Sequence, residues 1–130
     1  MLRKILLATV LALGVSGAAE AQSTVALASR TFGPATVDAN GESLTLPDVR
    51  GVQTVGIQTV GTFSGTLELQ CTVDGTNYKQ VDVTPVSSQT PAASMTTENV
   101  FTASVGGCTA ARVISTAWTS GSVVVMARGT

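Results

Sequence analysis

Between Thr66 and Val73 apolar and polar residues alternate without a break. Leu67, Leu69, Cys71 and Val73 fall on one side, and Thr66, Glu68, Gln70 and Thr72 on the other. A period of two is the side-chain period of a strand, so the segment predicts a strand with one buried and one wet face. Weaker versions of the pattern predict strands over 24–29 and 31–37, both at sheet edges, and over 42–46, ended by Pro47. Further strands are expected over 52–63 (one long strand, or two joined at a bulge), 78–84, 99–105, 110–118 and 122–128. Asn40-Gly41, Asp74-Gly75-Thr76-Asn77 and Thr119-Ser120-Gly121 read as turns, because these residues tolerate positive φ or bond their own backbone. The Ser, Thr and Pro-rich stretch 85–97 reads as a mobile loop. Turn signals recur roughly every eight to twelve residues, the spacing of a sandwich or barrel. No helical stripe of useful length follows Val15. The pattern predicts an all-β fold, an antiparallel β-sandwich of jelly-roll or immunoglobulin-like type with at least seven strands. Leu67, Leu69, Cys71, Val73, Phe101 and Val113 are its expected core.

One echo breaks the alternation. Val52-Gln53-Thr54-Val55-Gly56 is followed by Ile57-Gln58-Thr59-Val60-Gly61. Successive copies of an odd period face opposite sides of a strand, so this is no solenoid repeat and points instead to a bulge at Gly56 or Gly61. A Ser64-Gly65 hairpin turn would set Leu67 opposite Thr62 and Leu69 opposite Val60. Val55, Ile57 and Phe63 have the other parity, and one inserted residue would reconcile the two sets.

The N-terminus has a different texture. Met1-Leu2-Arg3-Lys4 is basic, and 5–15 is an apolar run too short to span a bilayer as a helix. Ala19-Glu20-Ala21 places small residues where a signal peptidase reads them. Residues 1–21 are therefore expected to be a signal-peptide helix removed before Gln22, leaving 22–130 as a single domain. Removing Arg3, Lys4 and Glu20 leaves five basic and seven acidic residues, a net charge of −2. A weakly acidic chain with scattered cations has no electrostatic footprint for nucleic acid. No segment after the signal region is long and apolar enough for stable membrane insertion.

Cys71 and Cys108 are the only cysteines. An even count behind a signal peptide reads as one disulfide formed in an oxidising compartment. On the chain-entropy model, closing a loop of this length contributes roughly 3.5–4 kcal/mol. The sequence holds no histidine, which removes Ser-His-Asp and Cys-His catalysis and His-ligated zinc. It carries no phosphate-binding glycine loop, so no cofactor or metal is implied. The carboxylates Asp38, Glu42, Asp48, Glu68, Asp74, Asp82 and Glu98 show no paired arrangement, and Asp74 reads as a turn residue. Of the few aromatics, Trp118 and Tyr78 are the candidate ligand-binding residues. At one end of the sandwich they could form a stacking platform for a sugar, while a buried Trp118 would instead cap the core.

From about Val55 onward the chain resembles a small β-sandwich module of tailed-phage structural proteins. Val55 to Leu67, with its Ser64-Gly65-Thr66, carries the resemblance, together with Val73-Asp74-Gly75-Thr76-Asn77-Tyr78, Ala111-Arg112-Val113 and Trp118-Thr119-Ser120-Gly121-Ser122-Val123. The resemblance implies a virion decoration or fibre role with no catalytic residues. The signal peptide and the disulfide depart from that family and favour an exported bacterial protein on the same scaffold. The sequence thus leads to a non-catalytic structural or adhesive module, displayed on a virion or cell surface, periplasmic or extracellular. Its partner is a second protein, through self-association, or a surface glycan; the alternative function is a secreted carbohydrate-binding domain using Trp118 and Tyr78.

Overall fold

A computed structural model describes residues 29–130. The expected signal peptide and the expected strand 24–29, save Ser29, lie outside the described residues. Nine strands follow one another: β1 (Arg30–Val37), β2 (Ser43–Leu46), β3 (Thr54–Val60), β4 (Phe63–Thr72), β5 (Lys79–Val81), β6 (Thr84–Pro85), β7 (Asn99–Ser104), β8 (Ala110–Gly121) and β9 (Val123–Gly129). They form a five-stranded sheet in the order β1-β9-β3-β7-β6 and a four-stranded sheet in the order β2-β8-β4-β5. Every pairing is antiparallel, and the described residues contain no helix. The expected all-β sandwich is borne out.

The core lies between the sheets and is built by alternation. Val55 and Ile57 of β3, Phe101 of β7 and Val123 and Val125 of β9 point in from the larger sheet. Leu44, Leu46, Leu67, Leu69 and Val113 meet them from the smaller one. Each such side chain contributes about 1.5–3 kcal/mol when fully buried. Two of the three buried hydroxyls bond to distant carbonyls: Thr59 Oγ1 donates to the Thr97 carbonyl at 3.0 Å, and Ser115 Oγ to the Ala39 carbonyl at 2.6 Å.

The expected 52–63 strand is broken, but not by a bulge. Gly56 sits in regular register opposite Thr102 and Arg128. The chain instead leaves the five-stranded sheet at Gly61-Thr62 and enters the four-stranded sheet at Phe63. Ser64 and Gly65 are therefore strand residues rather than a turn. β3 and β4 never pair, so the parity conflict does not arise. A second corner, at Gly121-Ser122, carries β8 into β9 and replaces the expected 119–121 turn. The corners pack on each other: Gly61 has φ +135° and Gly121 φ +84°, and a Cβ on Gly121 would fall 2.8 Å from the Phe63 Cα. Only glycine fits that approach and that φ together.

Three other expectations need correction. Leu67, Leu69, Val113 and Phe101 are buried, and Cys71 is half-buried, but Val73 is 70% exposed. The alternation ends with β4, and Val73 stands in the bend that follows. Thr72 is buried instead, because its hydroxyl donates to Asp74 Oδ1 at 2.9 Å and accepts from the Gly75 amide at 3.0 Å, folding the turn over it. The expected 78–84 strand splits into β5 and β6 in different sheets, pivoting on the buried Val83. The loop after it is pinned rather than mobile. Met95 is fully buried and exchanges two backbone hydrogen bonds with Leu67, at 2.9 and 2.8 Å.

Candidate interaction surfaces

Cys71 and Cys108 form a disulfide, with Cα atoms 6.0 Å apart and a separation of 37 positions in sequence. The expected staple is borne out. It ties the end of β4 to the turn before β8, at the end of the sandwich that also holds the 74–77 turn. That turn is a closed hydrogen-bonding unit. Asp74 Oδ1 accepts from the Thr76 and Asn77 amides, both at 2.8 Å, and Oδ2 accepts from Asn77 Nδ2 at 2.7 Å. The Asn77 amide and side chain, with Thr76 and Thr72, hold the Asp74 carboxyl well below the usual carboxylate range. Nearby, Asp48 takes the Arg50 side chain at 3.0 Å and its amide at 3.1 Å, which lowers its pKa to about 2. Glu42 accepts from the Asp38 amide at 2.8 Å, the main cause of its lowered pKa. Each of these carboxylates shapes a local turn.

The structure does not bring Trp118 and Tyr78 together. Tyr78 packs beneath Arg112, whose guanidinium lies 4.1 Å from the ring centroid, near the disulfide end. Trp118 is six residues further along β8, roughly 20 Å away at strand rise. A register shift between Thr66 and Leu67 leaves Thr116 without a partner on β4 and turns Trp118 to the core side. There its ring stacks on Phe63 with centroids 5.2 Å apart, over Gly65, where a Cβ would fall 2.9 Å from Cζ3. Its Nε1 donates to the Gly121 carbonyl at 3.1 Å. Trp118 closes the core at the corner end, while Tyr78 belongs to the outer surface at the other.

The two outer faces of the sandwich differ in kind. On the four-stranded sheet, Arg112 Nε donates to Gln70 Oε1 at 2.9 Å, and Gln70 Nε2 donates to Glu68 Oε2 at 3.2 Å. Gln80 Nε2 donates to Asp82 Oδ1 at 2.9 Å. This surface is charged and bonded to itself. On the five-stranded sheet the outward positions are Val60 across from Val124, and Gln58 between Val100 and Met126. These four apolar side chains are 38–49% exposed. Gly56 sits one step further along, between Thr102 and Arg128, and leaves an open trough of about 410 Å³ bordered by Gln58, Val100, Met126 and Arg128. The sequence does carry a signal for this face. Val123-Val124-Val125-Met126 is apolar at consecutive positions, so one parity must point outward.

No family model matches the chain, and neither does any curated protein sequence. Its fold is similar to that of two solved structures. One is the SPBc2 prophage-derived protein YomS, with a TM-score of 0.61 and 16% identity over 78% of this chain and 90% of that one. The other is the PBSX exported protein XepA, with a TM-score of 0.63 and 17% identity over 80% of this chain. The chain spans 39% of the length of XepA. The resemblance to a phage β-sandwich module is borne out at the level of fold.

Proposed function

We propose that this protein is a non-catalytic structural module, exported from the cytoplasm and displayed on a virion or cell surface, where it acts through protein–protein contact. The observation that carries the reading is the Cys71–Cys108 disulfide, since such bonds form and persist in oxidising compartments. The sandwich it braces has the fold of an exported phage protein. The absence of histidine and the use of Asp48, Asp74 and Glu42 as turn residues support a role without catalysis. The separation of Trp118 from Tyr78 favours protein contact over the glycan platform.

The test is fractionation of cells expressing the full gene, with N-terminal sequencing and thiol counting of the recovered protein. The reading expects protein beginning at Gln22, outside the cytoplasm, with no free thiol. Uncut protein retained in the cytoplasm with two free thiols would overturn it.

A further inference from the structure

We propose that the outer face of the five-stranded sheet docks a second copy of this chain, in a two-fold, face-to-face pair in which Arg128 of each copy meets Glu98 of the other. The inference rests on the protein-contact role proposed above and names the surface that performs it.

The first support is where the exposed apolar side chains are. Among the described residues six large apolar side chains are exposed, and Val60, Val100, Val124 and Met126 share this one face. A fifth, Val86, lies at its edge, where the Val86 amide donates to the Val100 carbonyl at 2.9 Å. Scattered apolar residues are normal on any surface, but a contiguous cluster on one sheet marks a contact site.

The second support is that the sheet edges are blunted. β1 is broken in register at Gly33-Pro34, β2 has four residues, β5 three, and β6 two, ending in Pro85. Short strands and proline at edges oppose strand-to-strand addition. Self-association by extending a sheet is therefore disfavoured, and a face is left as the route.

The third support is charge. The centre of the face carries no charge: Gln58, Val100 and Met126 lie side by side, with Val60 and Val124 one step along. A charged partner would bury its charges unpaired there, which costs several kcal/mol. A second copy of the same face brings none. The charged residues sit at opposite ends. Arg128 lies level with Gly56. Glu98 is exposed in the bend just before β7, beside the Thr59–Asn99 pair, and its Oε2 accepts from the Gly61 amide at 2.7 Å. A two-fold axis running between the stacked sheets near Gln58 exchanges these ends, so each Arg128 lies over the partner's Glu98. An isologous contact requires this kind of self-complementarity.

The face spans four full strands and about seven residues, roughly 400 Å² per copy from strand spacing and rise. That is about half the usual share of a stable interface, so the pair is weak in solution and favoured where copies are crowded.

Sedimentation velocity over a wide concentration range tests this on the protein recovered from cells expressing the full gene. We expect reversible dimerisation, weakened at least about tenfold by Met126→Lys with no loss of thermal midpoint. Arg128→Glu and Glu98→Arg should each weaken it, and the double swap should restore it. A protein that stays monomeric throughout, an association indifferent to Met126→Lys, or a double swap no better than the singles would overturn the proposal. Monomer recovered outside the cytoplasm sinks the docking and leaves the display role standing. Dimer retained in the cytoplasm with free thiols does the reverse.

Discussion

The two outer faces come from the same kind of strand with the same alternation, yet one has its polar side chains bonded to each other and the other is apolar at its centre. On the four-stranded face, Arg112, Tyr78, Gln70 and Glu68 occupy one another in a continuous ladder. On the five-stranded face, Val60, Val124, Met126 and Val100 surround Gln58 without such a network. The lesson is that a sandwich's inner faces are dictated by burial, whereas its outer faces are free to differ. The difference between them therefore carries functional information that the core does not.

The disulfide offers the largest test of that contrast, because it braces only the end of the four-stranded sheet. Reduction, or replacement of Cys71 and Cys108 by alanine, should lower stability by roughly 3.5–4 kcal/mol, a large fraction of the roughly 5–15 kcal/mol typical of a domain. Thermal unfolding with and without reductant measures it. Hydrogen exchange should show the β4–β5 end opening first, with β3 and β9 amides still protected. Uniform loss of protection would mean that the two sheets are not independently braced.

A matched pair of substitutions probes the faces themselves. Arg112→Ala removes a stacked cation and a side-chain hydrogen bond, and should destabilise by about 1–2 kcal/mol in urea unfolding. Met126→Lys on the bare face removes no such network, and its effect on the monomer should stay within about 0.5 kcal/mol. Equal effects would erase the distinction. Gly56→Ala sharpens it further. A Cβ there meets only the Arg128 carbonyl at 3.9 Å, in a strand interior that glycine weakens. The substitution should stabilise the monomer by roughly 0.5–1 kcal/mol.

The smallest expected effect is in acid. Asp48, lowered to about 2 by Arg50, and Asp74, lowered by its own turn, are depressed relative to the unfolded chain. A depressed carboxylate stabilises the fold above its ordinary pKa, and that contribution fades as pH falls toward the folded value. Stability should therefore decline from about pH 3.8 downward, beginning at the disulfide end where both residues lie. A melting midpoint that rises as pH drops through this range would reverse the assigned sign.

Much of this fold was legible in the sequence, for reasons that particular residues make plain. Leu67 and Leu69 alternate cleanly with polar neighbours, so their burial followed from period alone. Cys71 and Cys108 needed only an even count and the expectation of a signal peptide. The corners were not legible. Gly61 and Gly121 look like ordinary turn glycines, and nothing local says that the chain changes sheets there. The assumption that adjacent strands pair created the expected bulge at Gly56 or Gly61, where the chain in fact runs straight through Gly56 and changes sheets at Gly61. Met95 sits in a Ser and Thr-rich stretch with no periodicity, and the backbone pairing with Leu67 that accompanies its burial leaves no local signal. Tyr78 and Trp118 could be ranked as aromatics, but six residues of β8 separate their surroundings, and that distance exists only in the folded sheet. The bare face left one trace, the unbroken apolar run in β9, where alternation alone would have placed a polar residue at Val124 or Met126.

The central claim is that the five-stranded face, and not the four-stranded one, is the contact surface. Thiol cross-linking tests it most directly, because Cys71 and Cys108 are already paired with each other. A single cysteine at Met126, beside the proposed two-fold axis, should give a covalent dimer with a short bismaleimide in the otherwise intact protein. The same cysteine at Thr45, exposed on the outer face of β2 opposite Arg112, should leave the protein monomeric. Efficient cross-linking at Thr45, or none at Met126 at concentrations where the protein associates, would contradict the account.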